Sequence, residues 1–131
     1  MSIEKDVQNF GLGIEDAYGF AEAVRVADTI YISGQTAFSP EGRIEGEGDM
    51  DAQMRQAYSN IGALLSKYGA TFQNVVEEVL YVTDVAAAGA VARKVRGEVY
   101  EDRFEVASSL IGVSALGAPQ LMIEIRCTAR I

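Results

Sequence analysis

A two-layer α+β domain, with two helices on one face of a mixed sheet, is the fold class this sequence predicts. Three observations predict it. Apolar residues from Met54 to Tyr68 recur at three- and four-residue spacing, whereas those from Leu121 to Ile131 recur at every second residue, so helical and strand periods share one chain. The periods run in the order strand, strand, helix, strand, helix, strand, strand, which two packed layers accommodate. The chain has 131 residues, the size of one domain spanning residues 1–131 and too few for two.

Residues 1–17 carry no firm period and read as a lead-in with room for a short strand. Residues 21–26 and 29–33 are rich in β-formers and flank Ala27-Asp28, so they predict a hairpin with a two-residue turn. Ser39-Pro40-Glu41-Gly42 is a turn signature, with Pro second and Gly fourth. Asp49 is placed to cap a helix running to Tyr68, whose stripe is Met54, Ala57, Ile61, Leu64, Leu65 and Tyr68, with Gly69 just past its end. Residues 75–85 predict a strand apolar on both faces, residues 86–102 a second helix, residues 107–116 another strand, and Gly117-Ala118-Pro119 a turn. In the last strand Leu121, Ile123, Ile125, Cys127, Ala129 and Ile131 face one way. Met122, Glu124, Arg126, Thr128 and Arg130 face the other. Two helices cover only one face of such a sheet. Val76, Leu80, Val82 and Val113 make the other face too apolar for water alone, which predicts an oligomer.

Composition excludes several kinds of chemistry. The chain contains no histidine, so a Ser-His-Asp triad, a Cys-His pair and a His-ligated metal site are ruled out. Its one cysteine, Cys127, forms no intrachain disulfide or cysteine-cluster metal site and reads as a small buried hydrophobe. Net charge is −8 and the only lysines are Lys5, Lys67 and Lys94, a balance that argues against nucleic acid as a partner. The N-terminus lacks the apolar core of a signal peptide, and no later stretch reaches about 18 uninterrupted apolar residues. The expectation is a soluble, cytoplasmic chain with no membrane partner. Gly11-Leu12-Gly13 lacks the third glycine of a dinucleotide fingerprint. The acidic loop of residues 42–49 does not fit the EF-hand spacing and reads as a flexible loop.

Several residues stand out against blander readings. Glu124 sits on the polar face of a strand central to the sheet. It is a candidate water-orienting acid or base, or else an interface carboxylate paired with Arg126. Arg126 is a candidate ligand cation or a salt-bridge partner; Arg96 and Arg103 are candidates to reach a cleft or simply solvated. Ser33-Gly34-Gln35 ends a strand, where glycine either admits a ligand to the backbone or marks a bulge. Ser109 as a nucleophile would need a lysine or carboxylate base and is set aside.

The run Ala23-Val-Arg-Val-Ala-Asp-Thr-Ile-Tyr-Ile-Ser-Gly-Gln35 resembles the strand pair and Ser-Gly-Gln turn of the Rid family (YjgF-type, reactive intermediate deaminases). Tyr81-Val-Thr-Asp84 resembles that family's central strand, and Met122-Ile-Glu-Ile125 its last strand. No one motif is specific; their order and spacing from Phe20 to Ile131 are. The resemblance implies a chorismate-mutase-like fold and a homotrimer with small-molecule clefts between subunits. It also implies hydrolysis of 2-imino or 2-enamino acids without metal or organic cofactor. It assigns the catalytic place to Glu124 and ligand-binding places to Phe20, Gly34, Gln35, Ser109 and Ile111; Arg126 joins them as a ligand-binding candidate because it shares a strand face with Glu124.

Two positions depart from the pattern. Ser109 stands where the family has a carboxylate-clamping arginine, and Phe20 stands where it has a tyrosine. Losing a bidentate arginine costs on the order of 2–4 kcal/mol for an anionic ligand. Recognition alone, as a ligand sensor or partner-binding trimer without catalysis, is therefore the alternative use of the clefts.

Overall fold

In the computed structural model, which describes residues 2–131, the strands are β1 (Asp6–Gln8), β2 (Ala23–Val26), β3 (Thr29–Gln35), β4 (Val75–Val82), β5 (Ala107–Gly112) and β6 (Ile123–Arg130). They form one sheet in the order β1-β2-β3-β6-β4-β5. The pairing of β4 with β5 is parallel and the rest are antiparallel. The helices are α1 (Ile14–Tyr18), α2 (Met50–Ser66) and α3 (Val85–Val99). The long helix α3 is the crossover that a parallel pair requires. β6 is central, between β3 and β4, as its alternation suggested.

Helices α2 and α3 cover one face. Met54, Ala57, Ile61, Leu64 and Leu65 of α2 meet Ile30, Ile32, Leu80, Val82, Ile123, Ile125, Cys127 and Ala129 of the sheet in one core. The Asp49 side chain accepts from Ala52 N at 3.1 Å at the start of α2. Gly42 N donates to Ser39 O at 2.9 Å in the Ser-Pro-Glu-Gly turn. Residues 42–49 are tied down rather than loose: Glu45 N donates to Ala37 O, and Gln53 Nε2 to Gly46 O.

The structure corrects several boundaries. α3 starts three residues after β4 ends, because Asp84 caps it by accepting from Ala87 N at 3.0 Å. It stops at Val99, since Glu101 and Asp102 turn to positive φ of 54° and 57°. β5 ends at Gly112, and Ile131 lies beyond β6 and is exposed. α1 is a third helix, five residues long and too short to show a period. β4 is covered on one face only. Leu80 and Val82 point into the core at 2% and 0% exposure, whereas Val76 is 43% exposed. The cause is a bulge between Val75 and Glu77, which shifts the side-chain phase by one residue. The open face instead carries Tyr31, Val79, Tyr81, Glu124, Arg126, Thr128, Ser109 and Ile111, as the strand register sets them.

Candidate functional site

A cavity of ≈ 630 Å³ opens beside β3. Its walls come from six places. The lead-in gives Phe10, Leu12 and the α1 residues Ile14 and Tyr18. The approach to β2 gives Phe20 and Glu22. The loop after β3 gives Phe38, Ser39, Pro40 and Gly42. Helix α2 gives the exposed Ser59 and Ala63 and the buried Asn60. Gly34, Gln35 and Glu124 reach it from the sheet, and Gly117, Ala118 and Leu121 from the segment before β6. Two amides of α2 fix these walls. Asn60 Nδ2 donates to Thr36 O and Phe38 O at 3.1 and 2.8 Å. Gln53 Nε2 donates to Gln120 O at 2.9 Å, and its Oε1 accepts from Met122 N at 2.8 Å.

The predicted residues divide into two groups. Phe20, Gly34, Gln35 and Glu124 line the cavity; Ser109, Ile111 and Arg126 do not. Tyr81 pairs with Glu124 on one side and Ile111 on the other. Ile111 is thus two strand spacings from Glu124, about 10 Å. Val79 stands likewise between Arg126 and Ser109. Among the described residues Arg126 forms no ion pair with Glu124. Arg96 is committed elsewhere, its Nε 2.8 Å from Glu78 Oε2, and Arg103 lies 3.4 Å from Glu105 on the surface. None of these arginines takes the missing place within one chain.

Gly34 is required by Glu124 rather than by access to the backbone. A Cβ on Gly34 would lie 2.6 Å from Glu124 Cδ and 2.7 Å from its Cγ. A register shift between Ile32 and Gln35 makes this stretch a bulge as well. Glu124 therefore lies across the Gly34 backbone. Among the described residues its carboxylate takes no side-chain hydrogen bond and no ion pair. Burial alone holds its pKa above the usual carboxylate range.

The sequence reading missed Glu22 and Glu15. Glu22 Oε1 accepts from Gln35 Nε2 at 3.0 Å, and both residues are buried. Burial raises the Glu22 pKa, the Gln35 bond pulls it back, and hydrogen-bonding contact with Glu15 raises it further. Glu15 is also buried, and its Oε2 has no hydrogen-bond partner among the described residues. Neither glutamate lies on a periodic element, so no pattern marks them. Asn60 and Gln53 were missed as well; both are buried polar residues of α2 that need partners, and their position seven residues apart beside the apolar stripe was the signal. Among the described residues no three His, Cys, Asp or Glu side chains are grouped to hold a metal ion, and no helix is long and apolar enough to cross a membrane.

Comparison with known proteins places this geometry. The profile of the family described as Endoribonuclease L-PSP matches residues 13–131. A RutC family protein of Aquifex aeolicus is 33% identical over 105 residues, 80% of this chain and 79% of the relative. The 2-iminobutanoate/2-iminopropanoate deaminase of Mus musculus is 33% identical over 86 residues, 66% of this chain and 60% of that enzyme. A crystal structure of a YjgF/YER057c/UK114 family member from Mycobacterium tuberculosis superposes with a TM-score of 0.85 at 30% identity, covering 98% of this chain and 100% of that one. RidA from an Antarctic Psychrobacter superposes with a TM-score of 0.79 at 28% identity, covering 100% and 99%.

Proposed function

Because the chain belongs to the Endoribonuclease L-PSP family, that of the YjgF and Rid proteins, we propose that it binds a small metabolite in this cavity. There it hydrolyses an imine or enamine to the carbonyl compound and ammonia. The observation that carries the reading is Glu124. Its carboxylate is half-buried at a cavity wall and, among the described residues, engaged by no protein donor, which leaves both oxygens for water. Glu124 accepts a proton from that water as its oxygen adds to the imine carbon. The C=N π pair moves to nitrogen, which takes up a proton. The hydroxyl proton of the carbinolamine then passes by way of Glu124 to the amino nitrogen as the C–N bond breaks and the carbonyl forms, and ammonia departs. Water and the chain's own groups suffice for each step. A general base placed in this way contributes about 10²–10⁴ in rate.

The homotrimer belongs to the same proposal. Ile111 is about 10 Å from Glu124 within one chain and Ser109, two residues along β5, farther still, so they reach a shared ligand only from a neighbouring copy. The open sheet face, with Tyr31, Val79, Tyr81 and Ile111, supplies the surface such a copy would cover. Net charge of −8 and a cavity without a cation weigh against RNA as substrate.

Ammonia release tests the reaction and light scattering tests the assembly. We expect faster release from freshly generated imines in the presence of the protein, and a mass of three chains. No acceleration with any imine would leave a binding or sensing protein, and a clean monomer would remove the shared cleft.

A further inference from the structure

The charge of the cavity wall carries an inference about substrate class. Two carboxylates, Glu22 and Glu124, line it, and no lysine or arginine does. Aromatic rings from Phe10, Tyr18, Phe20 and Phe38 make up much of the remainder. Behind the wall Glu15 Oε2 is buried without a partner among the described residues. An anion entering here meets two carboxylates and, among the described residues of this chain, no compensating charge. A cation gains charge-assisted hydrogen bonds from the carboxylates and the attraction of aromatic faces. Glu22 is held by Gln35 Nε2 at 3.0 Å and has Glu15 beside it, so a second acid backs this end of the wall. Gln35 and Gly34 are consecutive residues holding Glu22 and Glu124 respectively, so the two acids belong to one wall.

We propose that the cavity selects an apolar ligand bearing a positive nitrogen and no carboxylate, an amine or protonated imine, with Glu22 as the specificity residue beside Glu124. This rests on the reading above that the cavity is the ligand site. It differs in direction from an arginine-clamped site, which takes a 2-imino acid by its carboxylate.

Titration calorimetry with three ligands of matched size, benzylammonium, benzyl alcohol and benzoate, tests it without relying on turnover. Benzylammonium is expected to bind at least about tenfold more tightly than benzyl alcohol, with benzoate weakest. Glu22→Gln should remove about a tenfold advantage of the cation and leave benzyl alcohol unchanged, while Glu22→Asp should retain part of it. Should Glu22→Gln unfold, loss of the cation's advantage in high salt with the native chain gives the same answer. Equal binding of all three, no binding, or tighter binding of benzoate overturns the proposal. A chain that binds benzylammonium but releases no ammonia from any imine refutes hydrolysis and leaves the charge preference standing. A chain that turns over 2-imino acids faster than acyclic ketimines lacking a carboxylate refutes the preference and leaves hydrolysis standing.

Discussion

Glu78 and Glu124 are both carboxylates on neighbouring central strands, and the chain treats them in opposite ways. Glu78 points toward the helices and is 1% exposed. Its Oε1 accepts from Tyr58 and Tyr100 hydroxyls at 2.8 and 2.6 Å, and its Oε2 from Arg96 Nε and Ser108 Oγ at 2.8 and 2.6 Å. Tyr58, Phe72 and Tyr100 stack edge-to-face around it, with centroids 5.7 to 6.1 Å apart. Burial and the Glu78 charge keep both tyrosines from ionising. The same two causes push the facing Cys127 thiol up to about 12. Every lone-pair direction of Glu78 is thus occupied, which is how a buried charge is made tolerable. Glu124 lies on the opposite face, half-buried and, among the described residues, without a protein donor. A fully partnered carboxylate holds the fold together; an unpartnered one at a cavity wall is free to act on what enters.

The largest effect should follow from breaking the satisfied side of this contrast. Glu78→Gln leaves Arg96 without its counter-charge and is expected to cost about 3–5 kcal/mol, a large share of a domain's stability. Urea denaturation followed by circular dichroism reads it, and a loss below about 1 kcal/mol would mean the network is not structural.

Gly34→Ala acts on the other side. The new methyl must displace the Glu124 side chain, at about 1–2 kcal/mol of stability, while turnover should fall by more than about tenfold because the carboxylate is moved. Equal turnover with the native chain would show that Glu124 has no fixed placement.

The smallest effect is a pH slope. Glu22 and Glu124 both have folded-state pKa values raised from the ordinary 4.5. Above that value the folded chain holds more protons than the unfolded one, so these two groups make stability fall as pH rises from about 4.5. Glu22→Gln should flatten that fall, and an unchanged slope in urea midpoints would separate Glu22 from it.

What was legible in the sequence follows the same divide. The long periodic elements, α2 and β6, were read with their caps and faces, because burial writes a period into them. The phase of β4 was not, since one bulged residue reverses which side chains point in and leaves no mark in the pattern. The face on which Glu124 stands was legible because it interrupts nothing in a clean alternation. Glu22 and Glu15 were not, because they come together only when a five-residue helix between Gly13 and Gly19 folds back toward β2. That Arg96 is committed to Glu78, 2.8 Å away, was not legible either, because the two come together only when α3 packs on the sheet.

Ammonia release from an acyclic ketimine lacking a carboxylate, compared between the native chain and Glu124→Gln, tests the central claim most directly. The account predicts release well above the uncatalysed rate for the native chain. For Glu124→Gln it predicts a loss of about 10² or more with the urea midpoint at neutral pH no lower than that of the native chain. Undiminished release from a folded Glu124→Gln chain would contradict it.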